Sequence, residues 1–221
     1  MDKNNLSASI NQLFVGNFSE DFNNMIDKCV KTSFTTYHIF KSETRNYFDG
    51  YNKGNAIFSR FLNFMIEKEL SKSAFTPISK HRAKTVRLNE YGYNGLFLCT
   101  EDFVITISKT SKPMELPPKS NFRQRLATMN GDLPIQLKLP CDGFEVDTPF
   151  KYAIITYGRD SNFELSHLNI ITPNPDYRGI VEDCSIDIMK HSNLIVMPEA
   201  VTEEQLTTLK SEFMTKVKVK E

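Results

Sequence analysis

The spacing of apolar residues changes about a third of the way along this chain of 221 residues. In residues 5–31 and 56–72 they recur every three or four positions, which is typical of amphipathic helices. The segment 56–72 shows this best, with one broad apolar stripe of Ile57, Phe58, Phe61, Leu62, Met65, Ile66 and Leu70. From residue 84 onward, apolar and polar residues alternate or form short β-branched runs, which predicts strands. This order predicts an α+β fold, with N-terminal helices packed on a largely antiparallel sheet.

Two helices and one strand are predicted before residue 41. Residues 5–31 show helical spacing, but Gly16-Asn17 interrupts it, and Ser19 is a suitable N-cap for a second helix. The next segment, "TSFTTYHIF" at 32–40, is rich in β-branched and aromatic side chains. Because such side chains fit a pleated, half-buried surface, this segment is predicted to be a strand.

After residue 72 the chain is predicted to form two hairpins, three single strands and two helices. The predicted strands are 84–90, 96–99, 103–107, 150–158 and 163–173, followed by short ones within "VEDCSIDIM" and "LIVMP". Ser120 caps a short helix that Gly131 ends, and residues 202–218 read as a C-terminal amphipathic helix. Residues 1–75 are expected to form a helical layer or subdomain, and residues 76–221 an α+β sheet domain. The alternative is a single domain over residues 1–221.

Composition excludes several classes of protein. Hydrophobic residues make up 40% and charged residues 24%, which is typical of a chain with a buried core. No run of 18 apolar residues and no basic-then-apolar leader occurs, so neither a membrane span nor a signal peptide is predicted. The four cysteines lack paired spacing, which indicates reduced thiols in a cytoplasmic protein. Phosphate-binding and dinucleotide-binding glycine motifs are absent, and no cofactor or metal site is predicted.

Charge is distributed unevenly although the net charge is zero. Residues 72–125 carry ten basic and four acidic side chains, whereas residues 126–221 carry nine basic and fifteen acidic ones. A basic face for nucleic acid or a protein partner is therefore predicted, formed by Lys80, His81, Arg82, Lys84, Arg87, Lys112, Lys119, Arg123 and Arg125. Two alternatives stay open: the basic segment pairs internally with the acidic C-terminal half, or it pairs with that half of a second copy in a homo-oligomer.

One hairpin raises the question of metal-dependent catalysis. Nucleases of the restriction-enzyme type place an acid on one strand and Asp/Glu-x-Lys on the next, so that carboxylates and a lysine meet at a divalent metal. Glu101, Asp102 and Lys109 occur in a suggestive order, but Ile107 occupies the position where that motif needs an acid. A hairpin with a polar tip is therefore the expectation. A divergent metal-dependent nuclease using Glu101, Asp102 and Lys109 is the alternative.

These observations favour a non-catalytic accessory or regulatory protein that binds a protein partner or nucleic acid through its basic face. Small cytoplasmic proteins of this kind are common in phages and other mobile elements, and in defence or toxin–antitoxin loci. That expectation rests on the lack of a catalytic or cofactor motif and on the charge layout.

Overall fold

The structure, a computed structural model, describes residues 3–48, 54–74, 82–87, 94–131, 151–186 and Thr208. The helices are α1 Lys3–Asn17, α2 Glu20–Phe48, α3 Gly54–Ala74 and α4 Asn121–Ala127, and a 3₁₀ turn, Thr128–Asn130, follows α4. The strands are β1 Arg82–Arg87, β2 Asn94–Cys99, β3 Phe103–Lys109, β4 Lys151–Arg159, β5 Leu165–Pro173 and β6 Ile180–Ser185.

The six strands form one sheet in sequence order, β1 to β6. Every neighbouring pair is antiparallel except β3 and β4, which are parallel. Parallel neighbours need a crossover connection, and α4 is part of the one between β3 and β4. The predicted α+β fold with a largely antiparallel sheet is therefore confirmed.

Both faces of the sheet carry a core. One face, here called the helical side, packs against α1–α3 through Leu96, Leu98, Phe103, Ile105, Ala153, Ile155, Tyr157, Leu168 and Ile170. The other face, here called the α4 side, packs against α4 and the 3₁₀ turn through Phe97, Cys99, Val104, Tyr152, Ile154 and Ile171. Side chains of adjacent strand residues point to opposite faces. Residues an even number of positions apart in a regular strand therefore lie on the same side of the sheet.

The strand predicted at 32–40 is wrong, because these residues lie inside α2. Burial favours the helix: Phe34, Tyr37 and Phe40 continue the buried stripe of the preceding helical residues and pack in the helical-side core. The serine and threonine hydroxyls form hydrogen bonds within the helix, since Ser33, Thr36 and others donate to the carbonyl oxygen four residues earlier. Tertiary packing therefore overrides the local strand preference.

Several local predictions are confirmed. α1 and α2 are separated after Asn17, and the Ser19 hydroxyl accepts a hydrogen bond from the Phe22 amide at 3.4 Å, as an N-cap does. Ser120 caps α4 in the same way through the Arg123 amide. The hairpins β2–β3 and β4–β5 are present. The C-terminal helix predicted at 202–218, "LIVMP" and residues 88–90 lie outside the described ranges, apart from Thr208 within that helix.

None of the described helices is both long and apolar enough to cross a membrane.

Candidate functional site

The edge strand β1 presents part of the predicted basic face on the α4 side. Arg82 pairs with Cys99 and Lys84 pairs with Phe97, and both partners belong to the α4-side core. Burial raises the pKa of the Cys99 thiol to about 11, while the charges of Lys84 and Arg82 act in the opposite direction. These two basic groups therefore lie close to the thiol, on the same side of the sheet as α4.

The loop 110–120 and α4 add four more basic residues to this side. The loop follows the end of β3, and its Met114 and Leu116 pack into the α4-side core. Its lysines and the two arginines of α4 are Lys112, Lys119, Arg123 and Arg125. Together with Arg82 and Lys84 they form what we call the basic surface. Lys112, Lys119, Arg82 and Arg125 are exposed.

Arg123 has a structural role within this surface. Its guanidinium donates to the Pro118 carbonyl oxygen at 2.9 Å and to the Ser108 hydroxyl at 3.0 Å. It also lies 5.1 Å from the centroid of the Phe122 ring. These contacts connect the loop and α4 to the end of β3, so Arg123 is held in place and is partly buried.

The other three members of the predicted face are Lys80, His81 and Arg87. Residue 87 closes β1 and pairs with residue 94 in the register of β1 and β2. Lys80 and His81 lie outside the described ranges. The salt bridges between described residues join Lys31 to Asp27, His38 to Glu164, Lys72 to Glu69 and Arg178 to Asp176. None of these four involves Arg82, Lys112, Lys119, Arg123 or Arg125.

The three candidates for metal-dependent catalysis lie at the two ends of β3. Glu101 and Asp102 form the turn before the strand, and Lys109 is its last residue. Seven residues of extended strand place Asp102 and Lys109 about 23 Å apart. The Asp102 carboxylate instead accepts a hydrogen bond from the Asn17 side chain at 2.7 Å, which ties the turn to the end of α1. These three groups do not meet at one point.

A cationic cluster lies on the helical side, where β3 and β4 end. Lys109 closes β3 and Arg159 closes β4. Sequence reasoning considered Lys109 for the nuclease alternative and did not single out Arg159. The Arg159 guanidinium donates to the Ser59 hydroxyl of α3 at 3.1 Å. Partial burial, and then the charge of Arg159, lower the pKa of the Lys109 ammonium. Both parallel strands end with an apolar residue, a small residue and a basic residue: Ile-Ser-Lys in β3 and Tyr-Gly-Arg in β4. This shared ending is the sequence signal that could have pointed to the two cations.

On the α4 side, a row of polar residues runs across the centre of the sheet. Ser108 pairs with Thr156, and Thr156 pairs with Asn169. Thr156 and Asn169 are fully buried, and neither the Thr156 hydroxyl nor the Asn169 amide atoms have a hydrogen-bond partner. One step further along the strands, His167 bonds Thr110 at 2.9 Å and Ser166 at 3.0 Å. Burial lowers the pKa of His167, so its imidazole is neutral near pH 7.

Among the described residues, no group of three or more His, Cys, Asp or Glu side chains is arranged to hold a metal ion. Cys29, Cys99 and Cys184 are free thiols, and burial raises the pKa of each.

Comparison with known proteins gives no relative for this chain. No family model, no curated protein and no solved structure matches it. The site must therefore be interpreted from its own geometry.

Proposed function

We propose that this protein is a non-catalytic binding protein that holds nucleic acid against its basic surface. The observation that carries the proposal is the register of β1, which brings Arg82 and Lys84 to the side of the sheet where α4 and the loop 110–120 lie. Six basic residues between Arg82 and Arg125, at most 43 positions apart in the chain, thereby share one side. Phosphate backbones bind such surfaces with little need for other chemistry.

The local charge balance supports this reading. The loop's one acid, Glu115, accepts hydrogen bonds from the backbone amides of Ser111 and Lys112 at 3.2 and 3.1 Å. Its carboxylate is thus engaged in folding the loop. Of the described acids, none forms a salt bridge with Arg82, Arg125, Lys112 or Lys119. A cationic patch of this kind attracts an external polyanion.

The broader role that we propose is regulatory and cytoplasmic, as in mobile elements or defence and toxin–antitoxin loci. Free Cys29, Cys99 and Cys184 suit a reducing compartment. A protein partner with an acidic surface is the competing occupant of the basic surface, and a second copy of this chain is another. The experiment below separates these occupants.

The test is fluorescence anisotropy with labelled random-sequence DNA and RNA over a range of salt concentrations. We expect the logarithm of the binding constant to fall with the logarithm of salt concentration, with a slope of about −3 for four phosphate contacts. The variant Arg82→Glu/Arg125→Glu should bind at least about tenfold more weakly and show a shallower slope. Arg123 is left unchanged because its contacts to Pro118 and Ser108 are structural.

A matched control is Arg60→Glu, an exposed arginine of α3 on the helical side. It changes the net charge in the same direction as each substitution in the basic surface, so it should bind nucleic acid nearly as tightly as the wild type. Equal binding by the double variant and the wild type would contradict the proposal. A wild type that binds no nucleic acid but captures an acidic protein through Arg82 and Arg125 would favour the protein partner.

The same samples address the other two alternatives. Shortening of the strands on a gel with Mg²⁺ or Mn²⁺, abolished by Asp102→Ala, would support the metal-dependent nuclease. Sedimentation at low and moderate salt tests self-association, which the acidic C-terminal half and the basic surface would make salt-sensitive.

A further inference from the structure

We propose that the carboxyl ends of β3 and β4 form a second, separate site that binds a single phosphate group. Lys109 and Arg159 supply its positive charge, and the hydroxyls of Tyr37 and Ser59 supply further donors. The site lies on the helical side, so it is on the face of the sheet opposite to the basic surface. It does not depend on the proposed binding of nucleic acid.

The register of the parallel strands brings the two cations together. Lys109 pairs with Tyr157, and Arg159 lies two residues further along β4. Strand spacing and rise place the two Cα atoms about 8 Å apart, within reach of one phosphate between the two side chains. Both positions share the parity of helical-side core residues, and both strands end here. The carboxyl ends of parallel strands are where open α/β sheets bind ligands.

The Arg159 guanidinium is held in a fixed position. It donates from Nη2 to the Ser59 hydroxyl at 3.1 Å, and its Cζ lies 4.5 Å from the centroid of the Phe163 ring. Phe163 has a backbone φ of 68° in the turn after β4, and the Lys41 ammonium lies 3.4 Å from its ring centroid. Two cations therefore contact this aromatic ring, and Arg159 is oriented before any ligand arrives.

Donors at this site lack acceptors. The Nη1 atom of Arg159 is buried and has no hydrogen-bond partner. The Tyr37 side chain is fully buried, and its hydroxyl hydrogen has no acceptor. Burial raises the pKa of this hydroxyl, and the charge of Arg159 and a hydrogen bond donated by it oppose that rise, which places the two groups side by side. Unpaired buried donors are unusual in folded proteins, and an oxyanion provides the acceptors that they lack.

Nearby acids do not neutralise the two cations. The Asp160 carboxylate accepts from the Asn162 and Glu164 amides at 2.8 and 2.9 Å, which folds the turn. The Glu164 carboxylate lies 3.5 Å from the His38 imidazole. No salt bridge joins Lys109 or Arg159 to an acid among the residues that the structure describes. Two like charges that no described acid neutralises destabilise the empty site, which is a common feature of functional sites.

The test is thermal melting of the full chain with inorganic phosphate, compared with chloride at equal ionic strength. Phosphate at about five times its Kd should raise Tm by about 2–4 °C, and the rise should saturate. Lys109→Gln should weaken phosphate binding at least about tenfold, since it removes a charged partner. Without phosphate, Lys109→Gln should melt at a higher temperature than the wild type, because Arg159 then has no like charge beside it.

The control is Lys112→Gln, an exposed lysine three residues away that belongs to the basic surface. It should keep the wild-type response to phosphate, and so should Arg82→Glu/Arg125→Glu, which separates this proposal from the one above. Phosphate also stabilises proteins non-specifically through exclusion from their surfaces. A rise in Tm that never saturates, or that is the same in Lys109→Gln, would overturn the proposal.

The phosphate has two possible sources, a free small molecule or a nucleic-acid end. Tighter binding of a 5′-phosphorylated oligonucleotide than of its 5′-hydroxyl counterpart, with the difference lost in Lys109→Gln, assigns the site to a nucleic-acid end. Equal binding of the two, together with a saturable response to inorganic phosphate, assigns it to a small phosphorylated molecule.

Discussion

Replacing Gly158 by alanine adds only one methyl group, but it should lower the stability of the folded protein strongly. Gly158 on β4 pairs with His167 on β5, and the imidazole lies directly over it. A Cβ atom at position 158 would lie 1.9 Å from Cε1 of His167 and 2.4 Å from its Nδ1. The ring cannot move freely, since hydrogen bonds to Thr110 and Ser166 hold both of its nitrogens. Either the ring or the central strand must shift.

The expected cost follows from these contacts. Overpacking a core costs about 1–3 kcal/mol. Displacing the ring also leaves the buried Thr110 hydroxyl unpaired, which adds about 1–3 kcal/mol. The lower backbone entropy of alanine in the unfolded chain returns about 0.5–1 kcal/mol. We therefore expect Gly158→Ala to lower the free energy of unfolding by about 3 kcal/mol.

A double-mutant cycle with His167→Ala isolates the clash. His167→Ala alone should cost about 2 kcal/mol through its lost hydrogen bonds. In that background, Gly158→Ala should cost nothing further, because no ring remains to be displaced. The coupling between the two substitutions should therefore be about 3 kcal/mol. Urea unfolding can be followed by circular dichroism and by tyrosine fluorescence, since the chain has eight tyrosines and no tryptophan.

Gly16→Ala is the matched control. Nothing lies within 4 Å of a Cβ atom built at this position in α1, so the substitution should be neutral or stabilising by about 0.5–1 kcal/mol. A cost below about 1 kcal/mol for Gly158→Ala, or additive effects in the double variant, would refute the reasoning.

Three further outcomes follow from buried polar contacts. Asn130→Ala should lower the free energy of unfolding in urea by about 3–4 kcal/mol, because the fully buried amide makes three hydrogen bonds to the backbone of Tyr152 and Pro173. A loss under about 1 kcal/mol would mean that these bonds do not hold the 3₁₀ turn to the sheet. Tyr152→Phe should cost about 1–2 kcal/mol by removing its 2.8 Å bond to Thr106, and adding Thr106→Val should recover most of that loss; a double variant weaker than the single one would contradict this. Folding lowers the pKa of His167, so the unfolded chain binds a proton there more readily, and stability should fall as the pH drops below about 6.5 towards the folded-state pKa. His167→Gln should remove this part of the pH dependence of chemical denaturation. An unchanged pH profile in the variant would refute the assignment to His167.

Local patterns predicted most of the fold. The hairpin β2–β3 was predictable because Thr100, Glu101 and Asp102 separate two apolar runs, and α3 because its stripe has a single period. The helix at 32–40 was missed because β-branched and aromatic side chains favour strands locally. Its apolar residues continue the helical spacing of Ile26 and Val30, and for this reason the segment folds as part of the same helix.

The candidate sites were less predictable than the fold. Arg82 and Lys84 were expected on a basic face, but only the register of β1 shows which side they share with α4. Lys109 and Arg159 are 50 positions apart, and they meet through a parallel pairing that leaves no trace in local periodicity. Buried donors without an acceptor, such as Nη1 of Arg159, are properties of packing and cannot be read from a sequence.

The single parallel pairing also shapes how the chain is made. The sheet consists of two antiparallel meanders, β1–β3 and β4–β6, that join only along β3 and β4. The 41 residues between those strands take roughly 2–8 s to synthesise at ribosomal speeds. For that interval the apolar edge of Phe103–Ile107 has no partner, and a nascent strand edge of this kind invites pairing with other chains. Translation speed and chaperone access around residues 110–150 should therefore govern the yield of folded protein.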